Sequence, residues 1–187
     1  MHTAGNEAER AGRIYAIGHS TLAQSELLDR LEELGVVTLA DIRSYPRSRH
    51  NPQFDTDALA EAAAARGLRY VHLHDLGGRR RANPGDDTNA GWRSAAFRGY
   101  ADYMQTGAFA HALDALLVLS AEGPVAIMCS EAVPWRCHRS LVADALSIRG
   151  VEVLQVLGAS VRPHRLTPFA RVRGTTITYP PPPGGDA

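Results

Sequence analysis

The chain has 187 residues, 44% hydrophobic and 21% charged, with 20 basic and 20 acidic side chains and no formal net charge. That composition belongs to one globular domain large enough to bury a core, and excludes a disordered or membrane-embedded chain. All of the basic residues are arginine and none is lysine, which excludes lysine Schiff-base chemistry, a lysine-anchored pyridoxal cofactor and the lysine of a Walker loop.

Residues 1–12 are polar, carry no apolar signal core and are expected to form a flexible lead-in. Residues 13–17 form a short apolar strand closed by Gly18. Leu27, Leu28, Leu31 and Leu34 then recur at helical spacing, predicting a helix over 25–34 that stops at Gly35. A second buried strand is expected over 36–42, an alanine-rich helix over 55–66 ended by Gly67, and a third strand over 68–73. Residues 77–91 are rich in Gly, Asn, Pro and Asp and read as a long loop. Helices near 97–104 and 109–120, a strand over 124–128, a helix over 137–149 and a strand over 151–157 follow. The four prolines after Tyr179 mark residues 178–187 as an expected disordered tail.

Alternating strands and helices over 13–177 predict a single α/β domain with a mostly parallel central sheet of about five strands and helices on both faces. Ligands of such sheets bind beyond the carboxyl ends of the strands. Four predicted strands end there in polar residues: His19 and Ser20, Asp41 and Arg43, His72 and His74, and Cys129 and Glu131. No run approaches the ~20 apolar residues of a membrane helix. Two cysteines make no disulfide scaffold, so both are expected to be thiols and the cytoplasm is the expected compartment.

Taken in order, several segments resemble the pattern of the family catalogued as domain of unknown function 488. They are Ile17-Gly18-His19-Ser20, Asp41 and Arg43 followed by Pro46, Ser48 and Arg49, Leu76-Gly77-Gly78, and Tyr103-Met104. The most specific is Cys129-x-Glu131-x-x-Pro134-x-x-Cys137-His138-Arg139. The resemblance spans residues 14–173 and implies an α/β fold with a shared pocket, but no particular reaction.

The cysteine segment is the densest in reactive groups. Cys137 and His138 are expected to open a helix, whose N–H groups and dipole favour a thiolate or a bound anion, as do Arg136 and Arg139. Cys137 is therefore the candidate nucleophile. Cys129, ending a buried strand, is either a small core residue or the thiol that resolves a Cys137 disulfide. Cysteines eight apart without a C-x-x-C pair do not make a zinc pattern, and no metal or other cofactor is expected. His19 with Asp41 or Glu131 could move protons, though each carboxylate could instead only orient Arg43 or Arg139.

Arg43, Arg49 and Arg139 are the candidate anion-binding side chains, with Ser20, His138 and Cys129 beside them; a guanidinium can grip a phosphate or carboxylate with two parallel bonds. The basic loops are interleaved with Tyr45, Phe54, Trp92, Tyr100 and Trp135, which suits base stacking or ordinary loop packing. The expectation is a small enzyme acting on an anionic substrate, a nucleotide or nucleic-acid component. The alternatives are a non-catalytic nucleic-acid-binding protein and a thiol or metal sensor built on Cys129 and Cys137.

Overall fold

Strands covered by helices on both faces must be apolar on both, and the strand-forming runs here meet that requirement. In the computed structural model, which describes residues 12–182, five strands pair in parallel: β1 (Ile14–Gly18), β2 (Thr38–Asp41), β3 (Arg69–His72), β4 (Val125–Cys129) and β5 (Val153–Leu157). A sixth, β6 (Ser160–Pro163), folds back antiparallel on β5. The order across the sheet is β3-β2-β4-β1-β5-β6.

Successive side chains of a strand point to opposite faces, and this divides the core in two. Tyr15, Ile17, Ala126 and Met128 pack with Leu27, Leu28 and Leu31 of α1 (Gln24–Glu33) and Leu59 of α2 (Thr56–Ala64). Ile14, Ala16, Val125 and Ile127 pack with Tyr100 of α3 (Ala95–Tyr103), Leu113 and Leu116 of α4 (Gly107–Glu122), and Leu141 of α5 (Arg139–Ser147). The first helix is fixed at its start by Glu26, whose carboxylate accepts from the Ala23 backbone N–H at 2.8 Å. Gly35, with φ +69°, takes the left-handed turn that ends it.

This strand order creates a crevice. The connection leaving β2 runs to β3 on one side, whereas that leaving β4 runs to β5 on the other. Neighbouring strands whose connections diverge leave a gap at their carboxyl ends, and β2 and β4 are such neighbours.

The chain beyond β5 departs from the sequence expectation. Besides β6, a hairpin of β7 (Arg171–Arg173) and β8 (Thr176–Thr178) forms its own two-stranded sheet. These strands are three or four residues long and largely exposed, so they leave little apolar periodicity to read. The expected disorder from residue 178 is corrected at Thr178, which is in β8, and at Tyr179, which is fully buried. Residues 1–11 and 183–187, which hold most of the expected lead-in and tail, lie outside the described residues.

Tyr179 is held by a polar cluster. Asp144 of α5, itself fully buried, accepts from the Tyr179 hydroxyl at 2.8 Å, from Thr167 Oγ1 at 2.7 Å and from the Thr167 N–H at 3.2 Å, with His164 Nε2 at 2.7 Å. The Tyr179 N–H donates to Asn89 Oδ1 at 3.0 Å, and Asn89 Nδ2 donates to Asp102 at 2.8 Å. The terminal strand thus anchors the long loop of residues 77–91 against α3. No described helix is long and apolar enough to cross a membrane.

Candidate functional site

A concavity of about 390 Å³ opens at the carboxyl ends of β1, β2 and β4. His19 reaches it from β1, Arg43 from β2, and Cys129, Glu131, Cys137 and His138 from the segment joining β4 to α5. The exposed Arg47, Arg79 and Arg136 complete a wall on which Glu131 is the one acidic side chain. Close approach of the backbones builds this rim: a Cβ on Gly18 would lie 1.8 Å from the Glu131 carbonyl oxygen, so no side chain fits there. Likewise the His138 ring occupies the space that a Cβ on Gly78 would need.

Arg43 is fixed from below. Its Nε donates to Asp41 Oδ1 at 2.9 Å, and its Nη2 donates to Asp41 Oδ2 and to the Phe54 carbonyl, both at 2.6 Å. Nη1 lies 3.3 Å from His19 Nε2. Of the five guanidinium N–H groups, these contacts engage four and leave one on Nη1 for the concavity. Asp41 is fully buried and also accepts from the Tyr70 hydroxyl at 2.7 Å. His19 is buried, stacks on Phe54 with centroids 4.1 Å apart, and has its Nδ1 2.9 Å from the Ser20 carbonyl. Burial pushes His19 below the ordinary imidazole range, and neighbouring Arg43 adds to the effect against the Ser20 carbonyl. A neutral ring with its proton on Nδ1 satisfies both contacts, leaving Nε2 to accept from Arg43.

The floor of the concavity is a pair of thiols. Cys129 Sγ and Cys137 Sγ lie 2.6 Å apart and both are buried. Arg139 Nη1 donates to Cys129 Sγ at 2.7 Å, and reaches the carbonyls of Ile17 and Glu131 at 3.0 Å. Arg139 is fully buried; its Nε and Nη2 have no partner, and among the described residues it forms no ion pair. A buried guanidinium without a counter-charge is costly, and a thiolate at Cys129 would supply one.

Burial alone raises the Cys129 thiol, but the hydrogen bond from Cys137 and the Arg139 charge bring it below its ordinary value. Cys137 moves the other way: its bond to Cys129 and its burial hold it well above the usual thiol range, against the charge of Arg139. Either sulfur can be the donor in this contact, and the Arg139 guanidinium, which lies on Cys129 Sγ, favours negative charge on that sulfur. His138 sits alongside, with Nε2 3.0 Å from the Ile42 carbonyl and Nδ1 3.6 Å from Cys137 Sγ. Burial pushes this imidazole down to about 4, so it is neutral, and with Nε2–H donating to Ile42 it presents an unprotonated Nδ1 to Cys137.

The structure brings together His19, Arg43, Cys129, Glu131, Cys137 and His138, and it corrects other expectations. Asp41 does not face the concavity; its oxygens hold Arg43 and Tyr70. Arg139 is fully buried beneath the floor, does not line the concavity, and has its Nη1 on the Cys129 sulfur. Ser20, held at φ +45°, lines a separate depression beside α1, and Arg49 is exposed outside the concavity. Cys137 lies just outside α5, which begins at Arg139; the Arg139 backbone N–H still reaches Cys137 Sγ at 3.4 Å, while the Arg139 guanidinium lies on Cys129. Sequence reasoning missed Arg47, Arg79 and Arg136 as lining residues, although each belongs to a basic cluster visible in the sequence. No group of three or more His, Cys, Asp or Glu placed to hold a metal ion occurs among the described residues.

A family model described as Domain of unknown function DUF488 matches residues 23–146, well over half of the chain. The match covers β2, β3 and β4, the cysteine segment and most of α5. It leaves out Ile17 to Ser20 and everything beyond residue 146, a narrower span than the sequence resemblance. No curated protein and no solved structure matches the chain.

Proposed function

The chain belongs to the DUF488 family, and we propose that it is an enzyme that turns a Cys129 thiolate on an anionic substrate held in the arginine-lined concavity. The observation that carries this reading is the fully buried Arg139, without a carboxylate partner among the described residues, 2.7 Å from Cys129 Sγ in the floor of that concavity. A thiolate is the nucleophilic form of cysteine, and a buried cation next to the sulfur is how a protein holds one near neutral pH.

The wall supports the anionic character of the substrate. Arg47, Arg79 and Arg136 form no ion pair among the described residues, and Arg43 retains one N–H. Tyr45 and Phe97 line the same space, and Tyr45 carries the Arg79 guanidinium 5.2 Å from its ring centroid. Guanidiniums for phosphate beside rings for a flat group favour a nucleotide or a nucleic-acid-derived substrate. In this reading the exposed Glu131 carboxylate is the candidate proton carrier, and Asp41 and His19 position Arg43.

The test is calorimetry with a nucleotide and oligonucleotide panel, run with product detection. Arg47→Leu and Arg136→Leu should each weaken binding roughly tenfold or more, the worth of a charge-assisted hydrogen bond, whereas Arg49→Leu should leave it unchanged. Glu131→Gln should keep binding and lose turnover. Binding that survives both arginine changes would reject the anion site, and binding without product across the panel would favour a non-catalytic nucleic-acid-binding role.

A further inference from the structure

A nucleophilic thiolate needs no second cysteine, yet this one has a thiol in direct contact. The two sulfurs, 2.6 Å apart, are the only cysteines of the chain, and both line the concavity. Each has its own support: Arg139 Nη1 lies on Cys129, while His138 Nδ1 at 3.6 Å and the Arg139 backbone N–H at 3.4 Å lie on Cys137. Closing a bond between the sulfurs therefore requires little backbone movement.

We infer that Cys129 and Cys137 form a two-electron dithiol–disulfide couple, giving the concavity a thiol–disulfide oxidoreductase activity towards anionic disulfides. The inference rests on the thiolate reading of Cys129 given above and extends it to the second cysteine. In the first step the Cys129 thiolate attacks one sulfur of a substrate R–S–S–R. A Cys129–S–S–R bond forms, the substrate S–S bond breaks, and RS⁻ leaves.

In the second step Cys137 releases its proton to solvent and its sulfur attacks Cys129 Sγ. The Cys129–Cys137 bond forms, the mixed disulfide to R breaks, and a second RS⁻ departs into solvent, where the proton released by Cys137 is taken up. The substrate gains two electrons, the protein dithiol loses two, and no further co-reactant is needed. The arrangement assigns the roles: Cys129 attacks because its thiolate is held by Arg139, and Cys137 resolves because, once Cys129 is in the mixed disulfide, no negative sulfur opposes its ionisation and the Arg139 backbone N–H and charge favour it.

Dithiobis(nitrobenzoate) is a suitable probe, being an aromatic disulfide with carboxylates for the arginine wall. The reduced full-length chain should release two thionitrobenzoates and retain none, ending lighter by two hydrogens by intact mass. Cys137→Ser should release one and retain one, mapped to Cys129, with Cys137→Ala as the second variant should the serine form fail to fold. Cys129→Ser should react about tenfold more slowly or less.

A wild-type chain that keeps a thionitrobenzoate on Cys129 would overturn the couple while leaving the thiolate nucleophile intact. A chain whose Cys129 is not modified in either form would overturn both.

Discussion

Arg139 Nη1 and Cys129 Sγ stand 2.7 Å apart beneath the concavity, and among the described residues no carboxylate shares that guanidinium. Arg139 comes from the first turn of α5 and Cys129 from the end of β4, so the contact joins the two elements that flank the cysteine segment. The Ile17 carbonyl, also bonded to Nη1, adds β1 to the junction. Carbonyl groups satisfy hydrogen-bond donors but do not neutralise a buried charge, whereas a thiolate does both. The contact proposed to activate Cys129 thus also helps to hold the rim of the sheet together.

Gly18 is the narrowest point of that junction. Gly18→Ala places a methyl group against the Glu131 carbonyl and Arg139 Nη1, so the loop after β4 must move. Overpacking of this kind costs roughly 3 kcal/mol, read as a lowered denaturant midpoint, and should slow alkylation of Cys129 in the folded protein. An alanine variant with unchanged stability and unchanged Cys129 reactivity would contradict the packing described here.

His138 gives the fold an acid-sensitive leg. Its folded value of about 4 lies below the ordinary imidazole value of 6.5 because it is buried. Between those values the unfolded chain binds a proton that the folded chain refuses, so stability is complete above about 6.5 and falls as pH drops towards 4. The full loss is roughly 3 kcal/mol. His138→Gln, which does not titrate, should make the fall in denaturant midpoint across that window shallower, leaving the share of the buried His19; an equally steep fall in the variant would place the proton elsewhere.

How much of this was legible in the sequence depends on what kind of regularity each residue obeys. Strand ends are marked by where an apolar run stops, so His19, Arg43, Cys129 and Glu131 could be assigned to one rim before any coordinates. Side-chain direction at those ends is not marked. Ser20 follows His19 yet faces a different depression, and Asp41 turns beneath Arg43 rather than beside it. Arg47 and Arg49 are two residues apart in an irregular loop, where no period says which one turns inward.

The pairing of the Arg139 guanidinium with Cys129 was hidden for the same reason. Flanking arginines and a helix start drew attention to Cys137, but Arg136 is exposed at the wall while Arg139 turns under the floor to the other sulfur. A ten-residue separation between Arg139 and Cys129 leaves no local pattern that could have announced the pair. The terminal hairpin was equally hidden, because exposed strands of three residues alternate nothing.

That hairpin is nevertheless coupled to the domain through Tyr179. Tyr179→Phe keeps the ring among Trp92 and Phe169 but removes one donor from the buried Asp144 carboxylate. The expected cost is about 1–3 kcal/mol, measured by chemical denaturation, with faster hydrogen exchange at the Asn89 to Trp92 turn. A neutral outcome in both measurements would show that the terminal strand does not clamp the long loop.

The most direct test of the central claim is the pH dependence of iodoacetamide modification, resolved between the two cysteines by peptide mapping. Both thiols line the same concavity, so access is shared and the difference between them reports thiolate character. Cys129 should be modified first, with a midpoint below the ~8.5 of an unperturbed thiol. Cys137 should lag until much higher pH, and Arg139→Met should move the Cys129 midpoint upward. Modification of Cys137 ahead of Cys129, or a Cys129 midpoint indifferent to the loss of Arg139, would contradict the account.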